Sequence, residues 1–200
     1  MAFSDLRTDV ESWMARADFP LSIYDLATAR INRVLRVRQM LTAYSDTAAQ
    51  VLTLPSDFLG FDILKGVTAG REFPINPVSP FTAAHGDSPS GVPTEYSIAN
   101  GATSLTMRLN PAPDSAYVLS GMYFGKLANF TTDSDTNSVL TDFPDIYLSA
   151  VLMHTFAYSR NAEQAALHGA NFTNQVMEAN DEYQRNRYSS PLRSVADAVA

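Results

Sequence analysis

Three histidines, one glycine- and serine-rich turn, one acidic run and one arginine cluster are the residues of this chain whose types and spacing could do chemistry. His85, His154 and His168 lie too far apart in sequence to form a pair at helical metal-ligand spacing. His154 falls in the most apolar segment and reads as a hydrogen-bonded core histidine. Gly86-Asp87-Ser88-Pro89-Ser90-Gly91 has the composition of a hydrolase turn without the Gly-x-Ser-x-Gly spacing of a nucleophile elbow. It reads as a Gly/Ser/Pro turn. Asp133-Ser134-Asp135-Thr136-Asn137 opens like a calcium loop. Ser138 then stands where glycine is needed, and Pro144 where a bidentate glutamate is needed. That run reads as a solvated linker ending in a helix cap. Arg30, Arg33, Arg36 and Arg38 are spread around more than half of a helix and so form no single phosphate-facing stripe. Salt bridges to acidic neighbours, within or between subunits, account for them better. No catalytic, cofactor-binding or metal-ligating set emerges.

The bulk composition narrows the classes further. The chain has no cysteine, which excludes disulfides, thiolate metal sites and a cysteine nucleophile. The formal charge of −7 disfavours a surface built to grip phosphates, although a local basic face is compatible with it. The start lacks a basic, then apolar leader, and the longest apolar stretch, residues 146–158, is too short to span a bilayer. A soluble protein without a membrane contact is expected.

The elements that must position these residues follow from periodicity. Phe3, Leu6, Val10, Trp13 and Ala17 recur at helical spacing, predicting a helix over 4–17 that Phe19-Pro20 stops. Ser22 and Asp25 suggest a capped start to a second helix, stapled by Leu21 and Leu26. Continued to Ala43, that helix would be about 33 Å long. From Thr47 the period drops to two. Strands are expected at 51–54, 61–68, 94–99, 105–109 and 117–124. Asn100-Gly101 suits a tight primed turn, and an antiparallel meander follows. Between them, residues 69–93 hold five prolines and three glycines, a loop long enough to need an intersubunit contact as its reason. Pro144 opens a helix that is apolar nearly all round, and Ala165, Gly169, Phe172, Val176, Ala179 and Tyr183 line one face of the last.

The expected fold is therefore α+β: an antiparallel helical bundle from the N- and C-terminal helices, with an inserted antiparallel β region. Its parts would be 1–45, 46–128, 129–187 and a tail at 188–200.

The order of motifs carries a resemblance. Leu54-Pro55-Ser56-Asp57-Phe58 is followed by Tyr96-Ser97-Ile98, then Leu105 to Leu109 running into Asn110-Pro111-Ala112-Pro113, then Met122-Tyr123-Phe124, then Pro144-Asp145-Ile146-Tyr147. This series resembles bacteriophage head-to-tail adaptor proteins, including those related to the tail tubular protein A of short-tailed phages. Where that family often has Asn-Trp-Leu before the Pro-Asp helix start, this chain has Ser138-Val139. The resemblance implies a virion neck subunit assembled in the host cytoplasm. It would form a homo-oligomeric ring, usually a dodecamer, docked on the portal protein and joined to a tail or nozzle protein. DNA would pass without specific binding, and no enzyme activity or cofactor is implied. In that setting Tyr188, Leu192, Arg193, Val195 and Val199 become candidates for portal or neighbour contact. Phe73, Ile75, Val78 and Phe81 become candidates for an intersubunit loop, and Arg30, Arg33 and Arg36 for charged contacts. Two other classes compete. A monomeric glycan-binding module would expose Tyr96, Tyr117 and Tyr123. A hydrolase would use Ser88 and His85.

Overall fold

A computed structural model describes residues 1–68, 70–80 and 90–188. Phe81, His85, Ser88 and the tail candidates Leu192, Arg193, Val195 and Val199 lie outside the described residues. The chain divides into two compact units. One comprises Met1–Met40 with the described residues from Leu127 onward; the other is Leu41–Lys126.

The first unit is helical. Helix α1, Phe3–Met14, buries Phe3, Leu6 and Val10. Its first free N–H groups are met from far along the chain: Phe3 N donates to Asp135 O (2.8 Å) and Ser4 N to Asp133 O (3.0 Å). The helix ends sooner than its apolar period suggests, because Ala15 turns left-handed (φ 49°) and Trp13 points outward, 61% exposed. Helix α2, Ser22–Val34, also departs from its sequence signals. Leu21, not Ser22, is the cap, and no side chain accepts there. Leu21 and Leu26 are both exposed, so no staple forms. The helix stops at Val34, nine residues before Ala43, and residues 38–40 make a single 3₁₀ turn.

A short helix α3, Ser138–Asp142, is capped by the Asn137 side chain, whose oxygen accepts from Leu140 N at 2.8 Å. Helix α4, Pro144–Tyr158, starts on its proline and buries Ile146, Tyr147, Ala150, Val151, Leu152 and Thr155. Helix α5, Ala162–Tyr188, is 27 residues and so about 40 Å long. Helices α1, α2, α3 and α5 all pack on α4. Burying a side chain such as Leu6 or Leu152 there contributes about 1.5–3 kcal/mol. Phe3 stacks on Phe130 (4.8 Å between ring centres) and meets Tyr24 edge-on (5.0 Å), closing the N-terminal end of this core.

The second unit holds two four-stranded sheets. Strands β1 (Leu41–Thr47), β8 (Val118–Gly125), β3 (Phe58–Thr68) and β4 (Arg71–Pro74) form one, in that order. Strands β2 (Val51–Thr53), β7 (Leu105–Asn110), β6 (Glu95–Asn100) and β5 (Asn76–Pro77) form the other. One buried cluster draws on both: Tyr44, Phe58, Leu64, Leu119 and Tyr123 from the first, Leu52, Tyr96, Met107 and Leu109 from the second. Gly121 of β8 permits the close approach of β3, since a Cβ there would sit 2.2 Å from Ile63 O.

The architecture corrects the expected one. The protein is α+β with two four-stranded sheets and, among the described residues, five α-helices. It is not an N- and C-terminal helical bundle carrying an inserted antiparallel β region. All four other helices are organised on α4, the most apolar of them, so the two terminal helix pairs do not oppose one another as halves of a bundle. The β residues form no single meander either. Strands β7 and β8 follow one another in sequence yet join different sheets, and β5 pairs with β6 in parallel. Residues 41–43, expected at the end of α2, instead open β1, an edge strand over 41–47 whose partners lie on β8, from Leu41 opposite Phe124 to Thr47 opposite Val118. Pairing with distant residues outweighs local helical preference there.

Candidate functional site

Helix α5 buries Phe172, Val176, Ala179 and Tyr183 and leaves an open groove on each flank of that stripe. The grooves differ in charge.

The first groove, about 290 Å³, lies between α2 and α5, with Arg30 and Val34 on one wall and Thr173, Met177 and Asn180 on the other. Arg30 rests its guanidinium over the Phe172 ring (5.8 Å to the centre), and its Nε is buried without a hydrogen-bond partner. Arg33, one turn on, is exposed and donates to Ala29 O (3.3 Å). Among the described residues neither enters an ion pair. The intramolecular salt bridges expected for these two are therefore not formed. Arg36 behaves differently. It folds back on its own helix end, donating from Nη1 to Asn32 O (3.0 Å) and Leu35 O (2.5 Å), and burial lowers its pKa.

Asn180 explains why α2 stops. Its Nδ2 donates to Val34 O (3.0 Å) and its Oδ1 accepts from Arg36 N (2.8 Å). One amide side chain thus satisfies a carbonyl left free by the helix end and the N–H just beyond it. No local sequence signal announces this contact across 144 residues.

His154 also sits near these arginines. Burial lowers its pKa, and the charges of Arg30 and Arg33 lower it further. It is half-buried, and its Nε2 is enclosed without a hydrogen-bond partner, so the hydrogen-bonded core histidine expected from sequence is not what forms. His168 is buried, stacked on Phe156 (5.2 Å) and edge-on to Trp13 (5.8 Å).

The second groove, about 350 Å³, lies on the other flank of α5 and is acidic. Asp145, Glu178 and Glu182 line it beside Gln175 and one cation, Arg185, which leaves three carboxylates against a single positive charge. None of these three carboxylates pairs with a cation among the described residues.

In the stretch 69–93, Ile75 is buried in the sheet core. Phe73 is half-buried with its ring laid over Gly66, and Val78 N donates to Tyr96 O (2.8 Å). Tyr188 closes α5. Tyr96, Tyr117 and Tyr123, which a glycan face would expose, are each less than a tenth exposed. The acidic run is a structural clasp. Asp135 accepts from the backbone and hydroxyl groups of both Thr131 and Thr132, which holds its carboxyl well below the usual range, while Asp133 pairs with Arg7 at 2.7 Å. No group of three or more His, Cys, Asp or Glu among the described residues could hold a metal ion.

The motif residues serve the fold. Leu54 and Phe58 are buried, Phe58 N donates to Pro55 O (3.1 Å), and Asp57 accepts from the Tyr123 hydroxyl (3.1 and 3.2 Å). The Leu-Pro-Ser-Asp-Phe step is thus the corner that turns β2 into β3 and ties it to β8. Asn137 caps α3, and Pro144 opens α4.

No helix among the described residues is long and apolar enough to cross a membrane. No curated protein matches the chain. The sequence model of the SU10 adaptor protein family matches residues 1–195, nearly the whole chain, in agreement with the resemblance to phage head-to-tail adaptors drawn from motif order. The chain belongs to the SU10 adaptor protein family.

Proposed function

We propose that this chain is a structural subunit of the neck of a tailed phage: copies form a ring that docks on the portal, joins it to the tail and continues the DNA channel. The family match over residues 1–195 carries this reading. The chemistry agrees with it. The motif residues are spent on turns, caps and core. Charged side chains without an ion pair among the described residues line the flanks of α5, which suits contacts with other proteins. The formal charge of −7 suits a conduit wall, where DNA must slide rather than bind. In this reading the subunit acts by holding partners together, without bond making or breaking. The C-terminal segment 188–200 is its proposed contact to the portal or to a neighbour, the residues around Phe73 and Val78 are a second contact, and assembly takes place in the host cytoplasm.

The test is reconstitution. Full-length chain mixed with the portal protein of the same phage, then imaged by electron microscopy, should show rings seated on portals. Truncation at residue 187 should lower their number. Portals that stay bare at saturating chain would overturn the reading. A glycan-binding module has no observation in its favour, since the tyrosines it needs are buried.

A further inference from the structure

Both grooves beside α5 belong to the same helical unit, and their positions on the helix are related simply. Thr173, Val176, Met177 and Asn180 face the basic groove; Gln175, Glu178, Ala179 and Glu182 face the acidic one. The second set is the first moved on by two residues, about 200° around the helix. The unit therefore presents unpaired cations on one flank and unpaired carboxylates on nearly the opposite flank. A surface of this kind cannot satisfy itself within one copy, but it is complementary to a second copy placed head-to-tail.

We infer that the basic flank, Arg30 and Arg33 around the Val34–Met177 groove, receives the acidic flank, Asp145, Glu178 and Glu182, of a second copy of this chain. The occupant is identified by charge complementarity. Arg30 and Arg33 have no ion-pair partner among the described residues, and neither do the three carboxylates. The Arg30 guanidinium lies over the Phe172 ring and its Nε is already buried, so the side chain is held in place beside the groove and pairing from its outer nitrogens costs little further side-chain freedom. Val34 and Met177, 39% and 58% exposed, supply the apolar floor that such a contact would cover. Because the two flanks differ, the contact is heterologous. Repeated, it generates a ring when the rotation closes, in contrast to the pair that a two-fold contact would give. The inference rests on the proposed ring and names the surface that makes it.

The test uses the full-length chain assembled on portal, with ring yield read by mass photometry. Arg33→Glu is one variant, and Glu178→Arg with Glu182→Arg is another. Each should lower ring yield about tenfold, and combining all three substitutions in one chain should restore most of it. Circular dichroism checks that each variant is folded. A second measurement does not depend on charge. The chain has no cysteine, so Arg33→Cys with Glu182→Cys should give a ladder of disulfide-linked copies under mild oxidation, because the two flanks of one chain cannot reach each other. Rings that form equally in all charge variants, or variants that give no ladder or link only to portal, overturn the proposed contact and leave the adaptor reading standing. Wild-type chain that forms no ring overturns both.

Discussion

Asn180 shows how one side chain sets an element boundary. Its two hydrogen bonds to Val34 O and Arg36 N replace the next turn of α2 and free the chain to enter β1. Asn180→Ala leaves both backbone groups to find water in a half-buried site. It is expected to cost about 1–2 kcal/mol, read as a lower urea midpoint with unchanged slope. His154 offers a test of sign. Its folded-state pKa lies below the ordinary histidine value, chiefly because of burial, then because of Arg30 and Arg33. The unfolded state therefore binds the proton more readily. Stability from the neutral imidazole is present above the unfolded pKa of about 6.5 and is lost as pH falls through the folded value. His168, lowered by burial, adds in the same direction. His154→Gln should lose stability less steeply than wild type between about pH 7 and pH 5 in thermal melts, and equal slopes would contradict this assignment.

At the scale of elements, close approach is the constraint most open to a single substitution. Gly121→Ala would drive a methyl group into Ile63 O of β3, a backbone atom that cannot swing aside. The variant is expected to lose about 3 kcal/mol or more, or to fail to accumulate in soluble form. By contrast Gly60→Ala, with nothing within 4 Å of the new carbon, should fold normally by the same measurement. What the sequence made legible follows the range of the interaction involved. The alternation of Leu105, Met107 and Leu109 places β7 correctly, and the nearly apolar stretch from Ile146 marks α4 as the buried helix. Pro144 and Asn137 signal their helix starts because capping is local. Asn100-Gly101 does not form the expected two-residue turn. Asn100 pairs with Leu105 as the last residue of β6, and Gly101 to Ser104 form the loop, closed by Gly101 N donating to Ser104 O at 2.8 Å. The glycine is required there by proximity, since a Cβ would lie 2.7 Å from Ser104 O. The pairing of β1 with β8, the early end of α2 and the Asp133–Asp135 clasp on α1 each depend on residues roughly 70 to 150 positions away. Periodicity carries no information about them.

The molecule as a whole leaves its chemistry at its surface. Among the described residues buried polar side chains are few, and the two units each hold their own buried apolar cluster, one helical and one between two sheets. The candidate site was legible only in part for a related reason. The arginines of α2 stood out by composition, but their opposite number, Asp145 with Glu178 and Glu182, spans two helices and comes together only in three dimensions. An acidic chain of this kind repels both DNA and its own copies at long range. Association must then come from matched local patches and from partners, and it should depend on salt over the separation at which such charges are screened.

The most direct measurement is a cryo-electron-microscopy reconstruction of the neck of the intact particle. The account predicts a closed ring of this chain between portal and tail, each copy meeting the next through unlike flanks of its helical unit, around an open central passage. A neck whose density contains no copy of this chain, or holds a single copy off the axis, would contradict it.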